Sequence, residues 1–177
     1  MAKYKINNSL LELTVGNITL EETEAIVNAA NRALSPGGGV SGAIHRAAGP
    51  GLWDEAKKHG GCATGEAKLT GGHGLKAKYV IHTVGPVYSG KDSDREKLRS
   101  SYHNSLELAS KNDIKSISFP SISTGIFGYP IGEASDIALN AIIDFLNDHQ
   151  EIKLVKMVLF SESDCQAYKT SLEDILK

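Results

Sequence analysis

The spacing of apolar and polar positions changes period several times along the chain. Leu11, Leu13 and Val15 alternate with polar neighbours, the period of two expected of a half-buried strand. Four short runs, Ala25 to Ala29 (AIVNA), Lys78 to Val84 (KYVIHTV), Ser116 to Pro120 (SISFP) and Leu154 to Phe160 (LVKMVLF), are rich in β-branched residues and bounded by turn formers. They read as buried strands. Helical spacing lies between them. From Asp94 to Lys111, Leu98, Tyr102, Leu106 and Ala109 recur at steps of three and four. From Gly132 to Asn147 the stripe is Ala134, Ala138, Ala141, Ile142, Phe145 and Leu146, and Tyr168, Leu172, Ile175 and Leu176 mark a last helix. Strands alternating with helices predict an α/β sandwich whose mostly parallel sheet is covered on both faces. Ligands on such sheets sit at the carboxyl ends of strands, in loops that lead into helices.

Composition narrows the class. The 177 residues carry a net charge of −2, with 41% hydrophobic and 23% charged residues. These values suit one soluble globular domain spanning 1–177. No repeat or linker divides the chain, and no basic cluster exists to grip nucleic acid through its phosphates. Cys62 and Cys165 lie far apart with no CxxC, which reads as reduced thiols. The first residues lack the apolar core of a signal peptide, and no run is long enough to span a bilayer. A cytoplasmic monomer is expected. The 18 glycines are the compositional excess.

Those glycines concentrate in two loops, each after a predicted strand. The first is Ser35-Pro36-Gly37-Gly38-Gly39-Val40-Ser41-Gly42, running into AIHRAAG. Adjacent glycines let backbone N–H groups approach a ligand closely, and the helix that follows adds its positive end. The second, Ser121 to Pro130, offers hydroxyls and flexible N–H donors ahead of another helix. Neither fits a nucleotide fingerprint: Gly37, Gly39 and Gly42 match GxGxxG but follow the strand too late, and no GK[ST] is present. Two anion-suited loops at strand ends point to a diphosphate held between them, as in a nucleoside diphosphate or an ADP-sugar. His59, Cys62 and His73 have loosely metal-like spacing but fall short of a ligand set, so no metal and no cofactor is expected.

Taken together, GNIT (Gly16 to Thr19), AIVNAAN (Ala25 to Asn31), PGGGVSGAIHRAAGP (Pro36 to Pro50), TGEAKLTGG (Thr64 to Gly72), YVIHTVGP (Tyr79 to Pro86) and FPSISTGIFGYP (Phe119 to Pro130) resemble the macrodomain family, most of all its MacroD-type branch. The match runs in order from about Leu10 to Phe160. The resemblance implies a three-layer α/β/α sandwich around a mixed sheet of roughly six strands that binds ADP-ribose or ADP-ribosylated protein. It further implies removal of mono-ADP-ribose from acidic side chains, or deacetylation of O-acetyl-ADP-ribose.

The resemblance also assigns roles. Asn17, with Ile18 beside it, stands where the family has an aspartate that accepts from the adenine amino group; Asn17 suits a helix cap equally well. Phe160 matches an aromatic packed on adenine. Asn31 matches the asparagine that orients the distal ribose beside the scissile bond. Gly38, Gly39 and Val40 match the loop touching diphosphate and ribose, and Ser123, Thr124, Gly125, Ile126, Phe127 and Gly128 match the second phosphate loop. Ser41 replaces the aspartate credited with activating water, and a serine hydroxyl is too weak a base for that task at neutral pH. This leaves Ser41 to orient water, with a substrate phosphate assisting. A binding module without chemistry is the alternative. His45, four residues after Ser41, lacks an orienting acid and reads as structural.

Overall fold

A computed structural model describes residues 1–177. Seven strands form one sheet: β1 (Ala2–Ile6), β2 (Ser9–Val15), β3 (Ala25–Ala29), β4 (Ala67–Gly71), β5 (Tyr79–Thr83), β6 (Ser116–Phe119) and β7 (Leu154–Leu159). Their order is β1-β2-β7-β6-β3-β5-β4. The five central strands, β2, β7, β6, β3 and β5, run parallel, and β1 and β4 pair antiparallel at the two edges. The sheet is therefore mixed and mostly parallel, as expected, with one strand more than the resemblance implied. β1 and β4 are the strands missing from the periodicity reading. As edges they bury one side only, and their Lys and Thr positions break up the apolar signal.

Five helices cover the sheet: α1 (Gly39–Ala48), α2 (Gly51–Ala56), α3 (Asp92–Lys111), α4 (Ile131–Asp148) and α5 (Glu162–Ile175). The period of two in each strand sorts residues between the layers. Ala25, Val27, Ile81, Ile117, Phe119, Val155, Met157 and Leu159 join one large core with the apolar stripes of α3, α4 and α5. Their strand neighbours Ile26, Val80 and Val158 point the other way, into a smaller core with Ile44, Ala48 and Leu52 of α1 and α2. The result is a three-layer sandwich. Leu176 is exposed, so the last helix uses Tyr168 and Leu172 as its anchors. Both cysteines are free thiols.

The order of strands contains one reversal that matters for function. After β3 the chain moves to β4 and β5 on one side; after β6 it moves to β7 on the other. β3 and β6 are neighbours, so the loops leaving them part toward opposite faces: α1 packs on β3, while the loop after β6 leads to α4. A crevice at the carboxyl ends of the sheet follows from that divergence.

Candidate functional site

The crevice is a cavity of about 230 Å³ lined by the two glycine-rich loops. Asn31, Gly38, Gly39, Val40 and Ser41 come from the segment after β3, and Ser123, Gly125, Ile126 and Phe127 from the segment after β6. Nine of the residues singled out from the sequence thus share one cavity wall. Gly37, Gly85, Ser121 and Ile122 line it as well.

The first loop is shaped to receive an anion. α1 begins at Gly39, inside the glycine run, with Gly38 at its N-cap and no side chain capping it. Gly39 has φ +55°, a conformation glycine adopts without strain. The N–H groups of Gly39, Val40 and Ser41 donate to no protein acceptor, and no acid stands in the first turn. Four N–H groups without intrahelical partners are normal at a helix start. α5 meets one of its own with the Ser161 hydroxyl, and α2, α3 and α4, which have no side-chain cap either, each carry an acid in the first turn, whereas α1 has neither. Gly39, Val40 and Ser41, which carry such N–H groups here, line the cavity at the positive end of the helix dipole. Gly42 allows the tight approach of the loop, since a Cβ there would strike the Gly37 carbonyl.

The Ser41 hydroxyl is buried at the cavity wall with no hydrogen-bond partner. One turn along α1, His45 is buried with both ring nitrogens unpartnered, and its ring centroid lies 6.4 Å from that of His82. Burial lowers the His45 pKa, so the imidazole is neutral and has no charge to lend to Ser41. His82, on β5, bonds Asn28 at 3.0 Å and Thr70 at 2.9 Å through its two ring nitrogens. Burial, with the neighbouring His45 second, holds its pKa down to about 3. Beneath the anion loop, therefore, lies a polar layer that carries no charge at neutral pH.

Asn31 is held in place by its own loop. Its side-chain oxygen accepts from Ser35 N and its amide donates to Ser35 O, both at 3.0 Å. The pair fixes the amide at the cavity wall and closes the turn that leads into the glycines.

The second loop is braced by two buried tyrosines. Tyr102 of α3 accepts from Ile122 N at 3.0 Å, and Tyr168 of α5 meets the Ser121 hydroxyl at 2.7 Å. Thr124 turns inward to Ser121 O at 3.0 Å, away from the cavity lining. Ser123 has φ +69° and donates its hydroxyl to Pro86 O at 2.8 Å, which holds it in a conformation costly for a residue with a Cβ. Gly85 makes this approach feasible, because a Cβ on it would collide with the Ser123 and Ile122 side chains. Gly128, with φ +74°, closes the loop outside the cavity.

Asn17, Ile18 and Phe160 lie outside the cavity but at the same edge of the sheet. Asn17 follows β2 and Phe160 follows β7. The parallel strands β2, β7, β6, β3 and β5 thus present Asn17, Phe160, the second loop, the first loop and Gly85 in that spatial order. From β2 to β3 this row extends about 14 Å at the usual strand spacing. Phe160 is 93% exposed, so its ring serves no core. Asn17 caps a short turn, its amide oxygen accepting from Thr19 N at 3.0 Å and from Thr19 Oγ1 at 2.7 Å. Ile18 buries its side chain in the smaller core with Ile26 and Ile44, which leaves only its backbone for a ligand.

The histidines and cysteine with metal-like spacing go elsewhere. His59 bonds Leu69 O at 2.8 Å, His73 pairs with Glu55 at 2.8 Å, and Cys62 is buried beside Ala30 and Leu34.

A three-layer sandwich with two glycine-rich loops at its switch point defines the class: an α/β domain with a cavity at the carboxyl ends of its strands. The Macro domain family profile matches residues 27–138, and the chain belongs to that family. A macro domain-containing protein of Caldanaerobacter subterraneus is 48% identical over 94% of this chain and 98% of its own length. The ADP-ribose glycohydrolase MACROD2 of Xenopus laevis is 48% identical over 97% of this chain, which spans 43% of that longer protein. A mutant macrodomain of Oceanobacillus iheyensis, solved with ADPR, superposes with a TM-score of 0.95 at 46% identity, covering 99% of this chain and 98% of that one. No helix of the chain is long and apolar enough to cross a membrane.

Proposed function

We propose that the chain binds ADP-ribose across the carboxyl edge of its sheet and hydrolyses mono-ADP-ribose esters of acidic side chains. The observation that carries this reading is the uncapped start of α1 facing the second loop across a cavity of about 230 Å³. Free N–H groups at a helix N-terminus bind phosphate. The adenine end extends toward β7 and β2, where the exposed Phe160 ring stacks on the base. Asn17 gives up its bond from the Thr19 hydroxyl to accept the adenine amino group. The distal ribose lies at the opposite end, between Asn31 and Phe127.

The chemistry needs little from the protein. Water attacks the anomeric carbon, a C–O bond forms, and the bond to the acyl oxygen breaks with its electron pair leaving as a carboxylate. A carboxylate is stable at neutral pH and needs no general acid. The water's proton passes to a phosphate oxygen of the substrate or to solvent. Gly38, Gly39 and Val40 hold that phosphate, Ser41 donates to or accepts from the water, and Asn31 fixes the ribose angle. Catalysis here is mostly positioning. O-acetyl-ADP-ribose is an ester that the same pocket accommodates.

A reader without catalysis is the second reading, and Ser41 is the residue that favours it, since neither loop contains an acid. Calorimetric titration tests the common part of both. ADP-ribose should bind more tightly than ADP, and AMP least, because each added group meets a further stretch of the trough. Equal affinity for ADP and ADP-ribose would remove the ribose subsite from the proposal.

A further inference from the structure

A second groove begins where the proposed ribose subsite ends. It measures about 600 Å³ and shares Asn31, Gly85 and Phe127 with the glycine-loop cavity. From there it runs away from the phosphate loops, beneath the start of α3. Its position continues the row of strand ends one step further, past β5.

Two cations line this groove. Arg32 directly follows Asn31, and Lys97 projects from α3. Both are exposed, and neither pairs with any carboxylate of the protein. Each is nonetheless placed. Arg32 Nε donates to the Thr64 hydroxyl at 3.3 Å, and its carbonyl accepts from Cys62 N at 2.8 Å. The Lys97 stem lies against Gly65, where a Cβ would come within 3.3 Å of the Lys97 Cδ. The groove's one acid, Asp94, is buried and turned to Ser89, accepting from its N–H at 2.7 Å and its hydroxyl at 2.8 Å. On a molecule of net charge −2, an unpaired pair of cations at this spot is a local reversal of sign.

We infer that this groove seats the polypeptide carrying the ADP-ribosyl group and selects acidic residues flanking the modified side chain. The inference rests on the proposed function, because only ADP-ribose in the trough directs the acyl group past Asn31 and Phe127 into the groove. An arginine and a lysine lining one groove complement two carboxylates of an extended peptide laid along it. A nucleic acid strand is the less fitting occupant, since two cations are few for a phosphate backbone.

The test uses short peptides bearing ADP-ribose through a non-hydrolysable link, so binding is read whether or not the protein is a catalyst. One peptide has Asp and Glu around the modified position, and the other has Asn and Gln. The acid-flanked peptide should bind about tenfold more tightly, with the difference shrinking at high salt. The Arg32→Glu/Lys97→Glu variant should abolish or invert that preference while leaving affinity for free ADP-ribose unchanged. Both side chains are exposed, and a thermal melt checks that the variant folds. Equal affinity for the two peptides in the native protein, with free ADP-ribose still bound, overturns the groove assignment alone. Failure to bind free ADP-ribose overturns the proposed function, and the groove assignment with it. Tighter binding of an ADP-ribosylated oligonucleotide than of the acid-flanked peptide also overturns it.

Discussion

Phe160 is 93% exposed at the end of β7, so removing its ring takes nothing from the core. Phe160→Ala should leave the melting temperature almost unchanged, since surface changes stay within about 0.5 kcal/mol. Its ADP-ribose affinity should fall about tenfold, the loss expected of one base-stacking ring. Calorimetry beside a thermal melt reads both. Unaltered affinity would leave that phenylalanine without a role. Asn31 makes a different prediction, because its amide is fixed by Ser35 on one side and faces the cavity on the other. Asn31→Ala should lower turnover about a hundredfold and affinity by much less. Equal losses would make it a binding residue only. At Ser41, a carboxylate would itself supply the base that the unpartnered hydroxyl cannot be. Ser41→Asp should raise turnover about a hundredfold, read in single-turnover assays. Inactivity of both forms would favour the reader.

Elements decide how well those residues are held. The second loop keeps its shape through Tyr102, Tyr168 and the strained Ser123, with Gly85 admitting the approach. Gly85→Ala should destabilise the fold by about 1 to 3 kcal/mol through overpacking and weaken ADP-ribose binding, measured by denaturant melts and titration. Four of the five parallel strands were legible as short β-branched runs bounded by turn formers, and β2 and the helices α3 to α5 were legible because each has a periodic apolar set. The loops were legible for a different reason, since clustered glycines and hydroxyls have few uses at strand ends. What escaped depends on tertiary approach. Gly85 is an ordinary turn glycine until Ser123 is seen to pack against it, and the bracing tyrosines look like plain core residues. The start of α1 at Gly39 also escaped, because glycine is a poor helix former and the φ of +55° at Gly39, just inside the Gly38 cap, leaves no mark in the sequence. For Asn17 the two roles weighed in the sequence meet in one atom, the amide oxygen that caps the Thr19 turn.

At the scale of the whole molecule, the buried polar layer between α1 and the sheet links stability to pH. His82 titrates at about 3 in the folded protein and near 6.5 when exposed. Below 6.5 the unfolded chain takes up a proton that the folded protein refuses. Stability is therefore full above pH 6.5 and falls as pH drops from there toward 3, by about 1.4 kcal/mol per unit for this one group. His45 shifts in the same direction for the same cause. Denaturant melts at pH 7.5 and 5.0 should differ by about 2 kcal/mol or more on this ground, and a His82→Gln variant should show a shallower dependence. An identical slope in that variant would place the acid sensitivity elsewhere.

The whole trough, from Asn17 to Phe127, exists because the chain reverses its direction across the sheet between β3 and β6. What it does to a modified protein is read most directly by incubating it, in molar excess, with a protein mono-ADP-ribosylated on glutamate. Free ADP-ribose should appear above the uncatalysed background, establishing an eraser in which Ser41 is no bar to catalysis. Stable capture of the substrate without release would contradict hydrolysis and leave a reader.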